Sequence, residues 1–259
     1  MFIYSFLVLD ICCQERYIPP KTQIDLNILC NESRLLLLSK DNNEYIVKIR
    51  NANLQLTRIA LFPDITNTFL SVYQKEDCQY FLQGSYFKSW AVQKGCSSIT
   101  LDDAYPSGIL PTYSVLFLCE SASLNSGTLK SNPYYHPHCN ISSISYTVNG
   151  NTTEIHVDFS KKKYVRLYLD FLKTVGSHTI PNSAINYETY AEGLSFFCLN
   201  YSQHANDNII PQVMHGNAIV TINFRENIKA NYNLVMYNSI PQKLTISSDR
   251  TVNLSPTLT

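Results

Sequence analysis

Ser143-Ile-Ser-Tyr-Thr-Val-Asn-Gly-Asn-Thr-Thr-Glu-Ile-His-Val-Asp-Phe159 alternates apolar and polar residues on both sides of an Asn-Gly pair. Before the pair, Ile144, Tyr146 and Val148 share one face and Ser143, Ser145 and Thr147 the other. After it, Ile155, Val157 and Phe159 alternate with Glu154, His156 and Asp158. Alternation with period two marks strands that bury one face. An Asn-Gly pair supplies the two positive φ angles of a tight hairpin turn. The stretch therefore predicts two antiparallel strands joined at Asn149 and Gly150.

The same signal recurs outward from this hairpin. Ala218, Val220, Ile222 and Phe224 share one face of another strand. Tyr113 to Cys119 is continuously apolar and reads as a strand buried on both faces. Between Ile46 and Leu61 the apolar phase sits at Val47 and Ile49, moves to Ala52, Leu54 and Leu56, and moves again to Ile59 and Leu61. Each change of phase needs an extra residue, so a long strand with bulges or a bend is expected there. One helix is expected from Tyr164 to Val175. Arg166, Asp170 and Lys173 form its narrow polar stripe, and Gly176 is positioned as a left-handed cap. Because the stripe is narrow, this helix should be largely covered by protein. A shorter helical turn is expected around Asn186 to Glu192. Many short strands, frequent turn signals and one or two inserted short helices predict an all-β, jelly-roll β-sandwich fold.

Composition narrows the function. The chain has 259 residues, of which 45% are hydrophobic and only 15% charged. A neutral surface of that kind suits broad contact with other protein copies. Net charge is zero, against the basic excess usual in proteins that grip nucleic acid. The one basic run, Lys161 to Lys163, reads as a solvated loop or helix start. Cys12, Cys13, Cys30, Cys78, Cys96, Cys119, Cys139 and Cys198 form no CxxC pair and read as mostly buried, reduced thiols. Asn-x-Ser/Thr sequons begin at Asn31, Asn140, Asn151, Asn200 and Asn253. Met1 to Leu9 is apolar, but it lacks a basic start and a small-residue cleavage site, and Asp10 ends it. No apolar run reaches the ~18–20 residues of a membrane-spanning helix.

Catalytic signatures are absent from the sequence: there is no G-x-S-x-G, P-loop, G-x-G-x-x-G or H-E-x-x-H. His136, His138 and Cys139 are the one candidate metal cluster, since imidazole and thiolate bind zinc. No third or fourth ligand at fixed spacing can be assigned, so a packing loop is the preferred reading. Asp102 and Asp103 sit in a turn-rich stretch where short acidic residues cap the backbone. The tyrosines read as sandwich core and interface. No catalytic, cofactor or metal site is assigned, and no small-molecule substrate.

Several segments, in order, resemble the C-terminal part of the double jelly-roll major capsid protein of Polinton (Maverick) elements and adintoviruses. They are Gln14 to Leu29, Val47 to Pro63, Leu110 through Asn125-Ser-Gly127 to Asn132-Pro-Tyr-Tyr-His-Pro-His-Cys-Asn-Ile141, and Asn186 to Gly193. Gly216 to Phe224, Asn233 to Tyr237 and Asp249-Arg250 complete the series. The loop His136-Pro-His138-Cys139 and the inserted Ser126 depart from the family pattern. The resemblance implies that residues 1–44 are the remnant of the closing strands of a first jelly roll and residues 45–259 a second jelly roll. A truncated gene, a split reading frame or a decayed element would each give such a chain. The implied function is non-enzymatic: a capsid protein, or fragment of one, forming trimeric capsomers with copies of itself and with other capsid proteins. These would tile the icosahedral shell of a DNA virus or virus-like element. The implied location is the virion, assembled in the host nucleus or cytoplasm. The apolar start and the sequons support an alternative, a secreted lectin-like or cytokine-like jelly-roll binding module.

Overall fold

The structure is a computed structural model, and it describes residues 9, 11–12, 16–40, 45–105, 108–125, 129–175, 185–201 and 214–255. Its elements in chain order begin with α1 (Ser33–Leu36), α2 (Pro63–Tyr73), β1 (Cys78–Val92), β2 (Ser98–Leu101), β3 (Ile109–Leu110), β4 (Tyr113–Glu120) and α3 (Ser121–Asn125). They continue with β5 (Ile141–Val148), β6 (Asn151–His156), α4 (Val165–Thr174), α5 (Tyr187–Ala191), β7 (Phe197–Asn200), β8 (Met214–His215), β9 (Ala218–Phe224), β10 (Tyr232–Ile246) and β11 (Val252–Ser255). The chain divides into two compact units, 1–31 with 46–84 and 241–259, and 32–45 with 85–240.

The larger unit holds most of the sandwich. One sheet has the order β1-β10-β4-β7 and the other β2-β9-β5-β6. The order is informative because each strand pairs with its mirror image in the chain. The first main strand, β1, pairs with the last, β10, and β2 pairs with β9. Likewise β4 pairs with β7, and β5 with β6. The chain is thus a hairpin of four strand pairs rolled into two sheets, which is the jelly roll. The small β3 and β8 pair separately.

The quoted hairpin is the innermost pair. Val148 faces Asn151 across a two-residue turn, with φ of 48° at Asn149 and 87° at Gly150. These are the left-handed values that an Asn-Gly turn provides. Register then aligns apolar residues across the whole sheet. Ile99 lies opposite Ile222, Ile222 opposite Ile144, and Ile144 opposite Ile155. In the facing sheet Leu118 lies opposite Leu234, and Leu116 opposite Met236 and Phe197. These side chains form one core cluster, with the partly buried Ile99 packed against it. Ala218, Val220, Ile222 and Phe224 are all buried, as the alternation requires. In β4 the inward residues Ser114, Leu116 and Leu118 are buried, whereas Tyr113, Val115 and Phe117 are only partly covered. The apolar run therefore has one dry face and one shielded by aromatic neighbours.

Three expectations are corrected. First, residues 46–61 form no strand; they are exposed and outside any ladder. A strand exists only against a partner, and among the described residues the apolar pattern has none. The next residues form α2 instead, with Pro63 at its first position and Asp64 in its first turn, a recognised helix start. Second, the helices outnumber those expected. Besides the inserted α4 and α5, α1, α2 and α3 are present among the described residues. Third, among the described cysteines only Cys119 and Cys198 are buried, while Cys12 and Cys30 are exposed. The last two lie N-terminal to every sheet strand, outside the sandwich core. Gly176, Cys13 and nearly all of Met1 to Leu9 lie outside the described residues.

The smaller unit is held by side chains. Tyr73 of α2 donates its hydroxyl to the Ser247 carbonyl at 2.5 Å, and the Arg250 guanidinium lies 4.7 Å above its ring. Tyr80 donates to the Tyr17 carbonyl at 2.8 Å. β10 and β11 form a hairpin with Ile246 opposite Val252.

Candidate functional site

His136, His138 and Cys139 are neighbours in sequence, but their side chains serve different contacts. The His136 ring is buried, with Nδ1 3.3 Å from the Leu118 carbonyl oxygen. It packs against Phe117 at 4.5 Å and Phe196 at 5.2 Å. The His138 ring instead stacks on Phe159 at 4.1 Å, and its Nδ1 accepts the Asn140 amide at 2.9 Å. Left-handed backbone at Cys139 (φ 45°) and Asn140 (φ 52°) turns the chain between these contacts. Burial lowers the pKa of both imidazoles, favouring their neutral form. Burial pushes the Cys139 thiol up to about 11, so it stays protonated at neutral pH. Among the described residues, no three His, Cys, Asp or Glu side chains converge as a metal-binding group.

What the loop builds is an aromatic buttress. From His138 and Phe159 the stack continues to Tyr164 (4.9 Å) and then Tyr187 (4.3 Å). Phe171 of α4 stacks on Phe196 at 5.8 Å. Tyr190 of α5 is fully buried, and its hydroxyl donates to the Phe196 carbonyl at 2.8 Å. Two backbone bonds strap the loop down: His136 N to the Gly193 carbonyl at 2.7 Å and Ser195 N to the His136 carbonyl at 3.0 Å. Gly193 has φ +144°, and a Cβ there would stand 2.2 Å from the Tyr135 ring. The close approach therefore needs glycine. Asn186 caps α5 through its Oδ1, which accepts the amides of Glu188 at 3.0 Å and Thr189 at 2.8 Å. The expected helical turn at Asn186 to Glu192 is present, with a capping box as its signal.

The buttress fixes α4 by one side only. Leu167, Phe171 and Thr174 are buried, whereas Val165 is 53% and Leu169 56% exposed. The helix was expected to be largely covered. Instead its second apolar side is open, because packing reaches it from one direction. Asp170 is half-buried and its pKa is raised, with burial outweighing the nearby Arg166 and Lys173.

The acidic and basic candidates are local anchors. Asp103 accepts from Lys88 Nζ at 2.9 Å and from Trp90 Nε1 at 3.1 Å. These hydrogen bonds hold its pKa below the usual carboxylate value. Asp102 lies exposed in the same bend. Lys161 to Lys163 form the exposed turn before α4. There Asp158 accepts from Ser160 at 2.5 Å and pairs with Arg225 at 3.2 Å. Of the sequon asparagines, Asn31, Asn151 and Asn253 are exposed, while Asn140 and Asn200 are half-buried.

The sequence reading missed α2 and the open groove of about 790 Å³ that Phe69 of this helix lines with Arg16, Tyr17 and Tyr80. The signal was present: Ile65, Phe69, Val72 and Tyr73 follow helical spacing after Pro63. The groove carries charges of both signs, Arg16 and Lys75 against Glu76 and Asp77. Among the described residues, no helix is long and apolar enough to cross a membrane.

No family model matches this chain, and no curated protein matches it. Similar solved structures exist. A chain of the Sputnik virophage cryo-EM structure shares 15% identity at a TM-score of 0.40, over 69% of this chain and 38% of that one. A chain of the PBCV-1 virus capsid quasi-atomic model shares 8% identity at a TM-score of 0.46, over 73% and 54%. The mavirus major capsid protein crystal structure shares 12% identity at a TM-score of 0.36, over 70% and 42%. This chain thus spans about half, or less, of the length of the solved chains it is similar to.

Proposed function

We propose that this chain is a structural, non-enzymatic capsid protein, or a fragment of one. It associates with copies of itself and with other capsid proteins into trimeric capsomers of an icosahedral shell. The shell would belong to a DNA virus or virus-like element of the Polinton or adintovirus type, with the chain residing in the virion. The observation that carries this reading is the pairing of strands across two sheets in jelly-roll order. The ordered sequence resemblance to the Polinton-type protein supports it. So does the apolar side of α4, which is open to contact. Within this reading, residues 45–259 are the second jelly roll and residues 1–44 the closing strands of a first. The chemistry is that of surfaces: many weak contacts, each repeated around the subunit, hold a closed shell.

The test is electron microscopy with sedimentation of the purified full chain. Trimers or hexagonally packed particles with free thiols are the expected result. A clean monomer at all concentrations overturns it. Exposed sequons at Asn31, Asn151 and Asn253 favour the second reading, a secreted jelly-roll binding module. That reading requires attached glycans in protein expressed through a secretory route.

A further inference from the structure

Residues 22–29 and 46–61 belong to the same compact unit, and neither contains a strand. No backbone amide of either segment donates to a backbone carbonyl of a described residue. Yet both carry strand-like alternation: Ile24, Leu26 and Ile28 in the first, Val47 and Ile49 in the second. These side chains are exposed. Together, the exposed Ile, Leu and Val residues of the two segments present apolar area on the order of 1,000 Å². In a contact that takes one segment from each copy, that sum is the area of both sides together, the size of a small specific interface. The segments span 8 and 16 residues, one on each side of the contact.

Charge selects the pairing. The second segment carries Lys48, Arg50 and Arg58 and no acidic residue, while the first carries Asp25 and no basic one. In an extended chain Asp25 points away from the face shared by Ile24 and Leu26. Lys48 and Arg50 likewise point away from the face of Val47 and Ile49. Pairing with both apolar faces on one side sets Asp25 beside Lys48 and Arg50. Pairing the second segment with its own copy would set cation against cation. The described residues between the segments, 30–40 and 45, are engaged elsewhere. They contain α1, and Ser39 N donates to the Leu129 carbonyl at 2.9 Å while Leu35 O accepts from Tyr134 at 2.6 Å.

We propose that residues 46–61 of one copy form a β-ladder with residues 22–29 of a second copy. This names one contact through which copies join, and it rests on the self-association in the capsid reading. The contact is heterologous, so it closes only as a ring or continues as a chain.

Sedimentation equilibrium of the full chain tests it, using wild type, the reversal Lys48→Glu with Arg50→Glu, and that reversal combined with Asp25→Lys. All three positions are exposed, and circular dichroism checks each fold. The reversal should weaken association about tenfold, the size of two cross-strand charge pairs, and adding Asp25→Lys should restore it. Association that ignores the reversal, or that weakens without restoration, overturns this pairing and leaves self-association standing. A monomer at every concentration removes both.

Discussion

β9 and the segment Ile46 to Leu61 both alternate apolar and polar residues, the first in one phase and the second in three, and they meet opposite fates. In β9, Ala218, Val220, Ile222 and Phe224 alternate and are buried, with β2 on one side and β5 on the other. In the earlier segment, Leu54 and Leu56 alternate, the phase then shifts to Ile59 and Leu61, and all four remain exposed, without a ladder. Alternation states that a stretch can form a strand. Only a neighbour at hydrogen-bonding distance makes it one. The difference separates a finished sandwich from an element that still lacks its partner.

The largest test of that contrast is truncation of one residue in each region. Ile222→Ala should cost about 2–5 kcal/mol in urea unfolding, through lost burial and a cavity. Leu54→Ala should change stability by less than ~0.5 kcal/mol, since its site is already wet. Equal costs would break the comparison. Gly193→Ala should cost about 1–3 kcal/mol from strained backbone, with added loss from overlap with Tyr135. Repeating it in a Tyr135→Ala background should leave the strain alone, which separates the two causes. Gly150→Ala should cost about 1 kcal/mol, because φ of 87° disfavours a side chain while nothing lies within 4 Å of the new Cβ.

A pH effect should also divide the regions. His136 and His138 have pKa values lowered by burial. Their unfolded value is ~6.5, so the stability they contribute is present above that pH. It is lost as pH falls through it, because the unfolded chain then binds more protons. Melting temperature between pH 7.5 and 5 should fall less in His138→Phe, which keeps a ring against Phe159. An unchanged slope would remove His138 from the account.

The innermost hairpin, β9, α5 and the span of α4 were legible because each carries a local signal. These are Asn149-Gly150 with alternation, a clean apolar face, and helical spacing after Asn186 or Tyr164. β1 was not legible. Its inward positions include Gly84 and Lys88, which blur the apolar phase, and Lys88 is tolerated only because Asp103 and Trp90 receive it. The open side of α4 was also hidden, since Val165 and Leu169 look like core until the packing direction is known. No local signal joins β1 to β10, a pairing that depends on the whole roll.

Hydrogen exchange of the full chain, followed by mass spectrometry at low and high concentration, tests the central claim most directly. Residues 218–224 should exchange slowly at both concentrations. Residues 22–29 and 46–61 should exchange fast when dilute and become protected as the particles grow. Protection of residues 46–61 in the dilute monomer, or fast exchange there in particles that have fully assembled, would contradict the account.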